Sequence, residues 1–197
     1  MSKAEPPVVS FPSRDAWSAW LDEHETEPEG VWLKLERKGA SPAPLTHPEA
    51  LEAAIAHGWI DGTRKRLDER HYVQRFTPRR ARSKWSRINR AKAEELIERG
   101  QMTAAGLAEV ERARADGRWD AAYAGQRAMT VPDDLQAALD RNPAAAELFS
   151  QLDSRNRYSI LYRVDDAKRP ETRARRIEKF VAMLNSGETI YPRPGSG

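Results

Sequence analysis

The chain contains no cysteine, which excludes disulfides, thiolate zinc sites and cysteine nucleophiles. The fold must therefore rest on packing. Long apolar runs are also missing. No segment approaches the roughly 18 consecutive apolar residues of a membrane span, and the opening Met1-Ser2-Lys3-Ala4-Glu5-Pro6-Pro7 has no apolar signal-peptide core. A cytoplasmic location is the expectation. The four histidines, His24, His47, His57 and His71, show no His-x-His or His-x-x-x-His spacing, so no metal is expected. The absence of a Gly-x-Ser-x-Gly elbow and of a phosphate-loop glycine pattern disfavours serine hydrolases and nucleoside triphosphatases of familiar type. No cofactor is expected either.

What is present is enough for a folded protein. Across 197 residues, 39% are hydrophobic and six are tryptophan, which argues against disorder despite a charged fraction of 32%. Charge is unevenly placed. Between Gly62 and Lys92 stand twelve Lys or Arg against Asp68 and Glu69, a local net charge of +10 in a chain whose overall charge is +3, so the remainder is acidic. Such a field attracts phosphates, nucleic acid or acidic lipid.

Hydrophobic spacing and caps predict the elements. Ser13 caps a first helix carrying Trp17, Trp20, Leu21 and His24 along one side. Val31, Leu33 and Leu35 alternate with Trp32, Lys34 and Glu36 as a half-buried strand, closed by a loop over 39–44. Thr46 and Glu49 form a capping box for a helix over 47–57 that buries Ala50, Leu51, Ala54 and Ile55 and stops at Gly58. Two short strands over 63–67 and 71–76 complete a small antiparallel sheet. Ser83 or Ser86 caps a helix reaching Arg99, and Thr103 caps another ending near Gly117. After a linker over 120–131, Pro132 opens a helical tail with units over 133–141, from Asn142-Pro143, over 154–165 and over 169–186. Pro192 and Pro194 mark a frayed end.

Several segments carry a family resemblance. They include Trp20-Leu21, Val31-Trp32-Leu33, Gly58-Trp59-Ile60-Asp61-Gly62, the block from Phe76 to Asn89, and Gly117-Arg118-Trp119. In the tail they include Pro132-Asp133-Asp134-Leu135, Ala138-Leu139, Ala167-Lys168-Arg169 and Glu171-Thr172-Arg173-Ala174-Arg175-Arg176-Ile177. In this order the chain resembles the YdeI/OmpD-associated, or bacteriocin-protection (OmdA-like), family. The resemblance implies a cytoplasmic protein linked to resistance against bacteriocins or cationic antimicrobial peptides, with no established reaction. His57 departs from the pattern, so no role for it follows from the family.

The motif residues admit competing chemistry. Asp61 reads as a turn residue of Asp-Gly, as a salt-bridge partner of Arg64 or Arg79, or as a general acid or base. Arg79, Arg82, Ser83, Trp85, Ser86 and Asn89 read either as core and helix cap or as an anion cradle at a helix start, where guanidinium forks, hydroxyls and amides meet an indole. The basic run interleaved with Tyr72, Phe76 and Trp85 also suits nucleic acid, without a recognised motif. Arg173, Arg175 and Arg176 read as a solubilising surface. The expected fold is α+β: a small antiparallel sheet packed by helices over residues 10–120, then a helical domain over 130–188. The leading functional expectation is a small anionic or nucleotide-like ligand bound by Trp59, Asp61, Arg79, Arg82, Ser83, Trp85, Ser86 and Asn89. The alternatives are an enzyme using Asp61 in that cleft and a nucleic-acid-binding protein. Oligomeric state is not encoded in any pattern found.

Overall fold

The computed structural model describes residues 5–25, 27–37, 44–125 and 128–192. Residues 39–43 of the predicted loop, 126 and 127 of the predicted linker, and Pro194 lie outside them. The chain divides into two compact units, residues 1–122 and 123–197, and the class is α+β.

The N-terminal unit runs β1 (Val8–Val9), α1 (Arg14–Glu23), β2 (Val31–Glu36), α2 (His47–Ala56), β3 (Trp59–Arg66), β4 (His71–Pro78), α3 (Arg87–Glu98) and α4 (Ala104–Ala115). The strands form one sheet in the order β1-β2-β4-β3. Pairings of β4 with β2 and β3 are antiparallel, as expected. The sheet as a whole is mixed, because β1 joins β2 in parallel through Val8–Trp32 and Val9–Leu33. A two-residue strand is too short to leave an alternation in sequence.

Local caps place the helices. Ser13 Oγ accepts from the Ala16 amide at 3.2 Å. The Thr46 amide donates to Glu49 Oε2 at 2.8 Å, one half of the capping box that starts α2. The sequence pattern gave α2 one buried stripe; in the fold it is buried on both sides. Ala50, Ala53 and Ala54 pack with Trp17, Leu33, Trp59 and Phe76 against the sheet. Leu51, Ile55 and Ala56 pack with Trp85, Leu96, Val110 and Trp119 beneath α3 and α4. The alanines of α2 let layers approach on either side. On one of them Gly106 of α4 sits so close that an added Cβ would lie 2.0 Å from the Ala56 carbonyl oxygen.

Asp61-Gly62 is not a turn. It lies inside β3, which begins at Trp59 rather than at residue 63. The register passes from Asp61–Phe76 to Arg64–Gln74, so β3 carries one extra residue, a β-bulge. Buried Gln74 donates its Nε2 to the Gly62 carbonyl at 2.7 Å and so satisfies a backbone group that the bulge releases from the ladder. The bulge also keeps Asp61 and Arg64, three residues apart, on the helix-facing side shared by Phe76 and Gln74. Without the extra residue, period-two alternation would place them on opposite faces.

The C-terminal unit contains α5 (Asp133–Asp140), α6 (Pro143–Ser150), α7 (Ser154–Asp165) and α8 (Pro170–Asn185), close to the predicted boundaries. Its core joins Leu135, Leu139, Phe149, Ile160, Phe180 and Leu184. Asn142 occupies the predicted N-cap position of α6. Its side chain instead donates back to the Ala138 carbonyl at 2.8 Å. Among the described residues no helix is long and apolar enough to cross a membrane.

Candidate functional site

The eight candidate residues do not share one cleft. Trp59, 0% exposed, belongs to the core between sheet and α1, and Trp85, 1% exposed, to the core under α3 and α4. Neither indole presents a face to solvent. Ser86 is the N-cap of α3, accepting from the buried Asn89 amide at 3.1 Å. Arg82 is exposed and Ser83 half-buried, at a turn where Ser83 Oγ accepts from the Arg80 amide at 2.8 Å.

Arg79 organises this loop from inside. Its guanidinium lies 3.5 Å from the centre of the Trp85 ring, and the residue as a whole is 5% exposed. Such stacking is a setting suited to guanidinium, which is less strongly hydrated than ammonium. Arg79 Nη1 donates to the Lys84 carbonyl at 3.1 Å, while Arg118 Nη1 donates to the preceding carbonyl, Ser83, at 2.7 Å. Two arginines from separate parts of the chain thus hold consecutive carbonyls of one loop. Buried Glu109 lies within their field and is paired with Arg112. Burial pushes the Glu109 carboxyl up, opposed by the charges of Arg112, Arg79 and Arg118. Neither Glu109 nor Arg118 stands out in sequence. An acid on an amphipathic helix looks solvated, and Arg118 appears only as part of the Gly117-Arg118-Trp119 resemblance.

Asp61 stands apart from this network. Its Oδ2 is 3.9 Å from His47 Nε2 at the start of α2, with each side chain 28% exposed. Burial holds the His47 imidazole below its ordinary value; Asp61 opposes that shift, and Arg64 and Lys92 reinforce it. His47 is a partner that the sequence reading missed, because its signal was absorbed by the Thr46-x-x-Glu49 cap.

The basic run is not a continuous patch. Arg64 stacks over Tyr72 at 3.8 Å, and Lys65 lies 4.4 Å over Trp32. Arg75 donates to the Glu29 carbonyl. Arg90 pairs with Glu94 at 3.0 Å, and Lys92 with Glu52 at 3.3 Å. The hairpin tip with Arg66 and Arg70 and the loop with Arg80 and Arg82 stand at opposite ends of β4, about 26 Å apart for eight residues of strand. Among the described residues no group of three or more His, Asp or Glu could hold a metal ion.

Residues 9–109, just over half of the chain, match a family model described as a domain of unknown function, DUF8412. The chain belongs to the DUF8412 family. Residues 128–187 match a second model, described as bacteriocin-protection, YdeI or OmpD-associated. The helical tail is therefore an OmdA domain, as the tail motifs indicated. The Gly58–Gly62 motif and the Phe76–Asn89 block fall within the DUF8412 region. No curated protein matches the chain, and no solved structure does.

Within the OmdA domain, Arg173 is more than solvated surface. Its Nε and Nη2 form a fork on Asp134, at 2.5 and 2.9 Å, joining α8 to α5. Hydrogen bonding from Arg173 holds the Asp134 carboxyl below the ordinary carboxylate range, and the same bond raises Arg173. Two of the family motifs of the tail, those carrying Asp134 and Arg173, meet in this pair.

Proposed function

We propose that the protein binds a small anionic ligand at the loop joining β4 to α3, in the setting of protection against bacteriocins that the OmdA match suggests, with the cytoplasm as its location. The observation that carries this reading is the pair of hydrogen bonds from Arg79 and Arg118 to the carbonyls of Lys84 and Ser83. A loop fixed from beneath keeps Arg80, Arg82 and Arg87 in place at the surface beside the N-terminus of α3. An anion arriving there meets cations with little ordering left to do, which is how preorganisation raises affinity. Trp85 is covered by Arg79, so a nucleotide-like ligand would be held by its phosphates and not by stacking on that ring.

Titration with pyrophosphate and nucleoside diphosphates, followed by thermal shift and calorimetry, tests this. A ligand at 100 times its dissociation constant stabilises by about 2.7 kcal/mol. Arg80→Ala and Arg82→Ala should each weaken binding at least tenfold, while Arg70→Ala at the far end of β4 should not. Equal losses at Arg70, Arg80 and Arg82 with a steep salt slope, about −0.7 in log K per phosphate for single strands, would favour nucleic acid instead. No shift with any anion would remove the reading.

The second reading is an enzyme at Asp61, favoured by the half-buried His47 beside it. An imidazole kept neutral near pH 7 is competent as a base, and Asp61 would orient it. It requires a substrate whose turnover collapses in Asp61→Asn while binding survives.

A further inference from the structure

A cleft of about 640 Å³ runs between α5 and α8 of the OmdA domain. That volume falls within the roughly 300–1,000 Å³ of small-molecule sites. Its floor is Ala138, Ile177 and Val181, all part of the domain core and therefore rigid. Ala174 and Ala182 on the exposed side of α8 keep it open, since longer side chains there would fill it.

Polar groups define the ends. At one, the Arg173 fork closes on Asp134. At the other, Asn185 Nδ2 donates to Asn142 Oδ1 at 3.2 Å. Between Arg173 and Asn185 helix α8 advances about 18 Å at 1.5 Å per residue. These four side chains satisfy one another and ask nothing of a ligand. Two lining groups differ. Among the described residues neither Arg141 on the α5 side nor Glu178 on α8 has a hydrogen-bond or ion-pair partner, and both are exposed.

We propose that this cleft is a binding site for a short zwitterionic peptide with apolar side chains. The cleft offers one free cation, one free anion and an aliphatic floor. A fatty acid would answer Arg141 and leave Glu178 unmatched, and a cationic amphiphile would do the reverse. A peptide with free termini matches both, its amine to Glu178, its carboxylate to Arg141 and its side chains to the floor. Along α8, Glu178 stands about 10 Å before Asn185, whose partner Asn142 adjoins Arg141. At about 3.3–3.6 Å per extended residue, that spacing suits a peptide of about three residues. The site is independent of the loop between β4 and α3.

The test uses the full chain and calorimetry with trileucine, its N-acetyl derivative and its C-terminal amide. Free trileucine is expected to bind, and each blocked form to bind at least tenfold more weakly. In Glu178→Gln the penalty for acetylation should vanish while that for amidation stays; Arg141→Gln should show the converse. Ala174→Leu, a substitution on an exposed helical position, should abolish binding with an unchanged melting temperature. Arg82→Ala should bind trileucine as the parent does. The proposal is overturned if no peptide binds at millimolar concentration, if the three forms bind alike, if decanoate binds and trileucine does not, or if Ala174→Leu binds normally.

Discussion

Replacing Arg118 by alanine separates a positioned loop from a merely charged one. The bond from Arg118 Nη1 to Ser83 O, at 2.7 Å and largely buried, is charge-assisted, and its loss should cost about 1.5–3 kcal/mol of stability. The accompanying pair with Asp116 has a half-exposed carboxylate, so water screens it and it adds little. The effect on binding is separate and follows from order. With one carbonyl released, an anion must fix loop backbone on arrival, at about 1–2 kcal/mol per residue. Ordering even one residue lowers affinity roughly tenfold, since about 1.4 kcal/mol corresponds to a factor of ten. Arg80 and Arg82 remain in this variant, so a purely electrostatic surface would hardly notice the change. Urea melts, exchange of the Ser83 amide that donates to Arg80 O at 2.8 Å, and pyrophosphate calorimetry provide three readouts. If Arg118→Ala retains the parent's protection at Ser83 and its anion affinity, the clamp does not position the loop.

Further outcomes follow from the packing. Gly106→Ala should destabilise the N-terminal unit by at least about 3 kcal/mol, because its Cβ would meet the Ala56 carbonyl oxygen at 2.0 Å. Gly117→Ala, at φ +78 with nothing within 4 Å, should cost only the left-handed strain of about 1–2 kcal/mol, and equal urea midpoints for the two would contradict this. Trp85→Ala should cost about 3–5 kcal/mol through its cavity, so a loss of ligand binding in that variant would report unfolding before chemistry. In Asp61→Asn the His47 imidazole should titrate lower still by NMR, because the one carboxylate that favours its charged form is gone. Since its folded value is already below 6.5, His47 should make stability fall as pH drops from 6.5 through that value, and His47→Gln should flatten the slope. Asp134→Asn should cost about 1 kcal/mol or less at pH 7, as the pair is partly exposed. The stability from the depressed Asp134 value is complete above 3.8 and lost as pH falls through the lower folded value, so parent and variant melts should converge in acid.

Much of the architecture was legible because its causes are local. The Thr46–Glu49 box, the Ser13, Ser86 and Thr103 caps, and the left-handed Gly58 and Gly100 lie within a few residues of the boundaries they set. The energy of a cap is spent inside one helical turn, so the residues that decide it are neighbours in sequence. The chain therefore determined its helices, its β3–β4 hairpin and its α+β class by pattern alone. It could not determine which charges remain available. Arg79 and Arg82 are equivalent in composition and three residues apart, yet one is stacked beneath the loop on Trp85 and the other stands at its tip. That choice depends on Arg118, 35 residues beyond Ser83, and on Glu109 from α4. The bulge that turns Asp61 toward His47 is likewise a matter of pairing with β4, since only the partner strand reveals an extra residue. Tertiary structure decided these points because burial and electrostatic partnership are set by side chains brought together across long separations, where sequence spacing carries no energy.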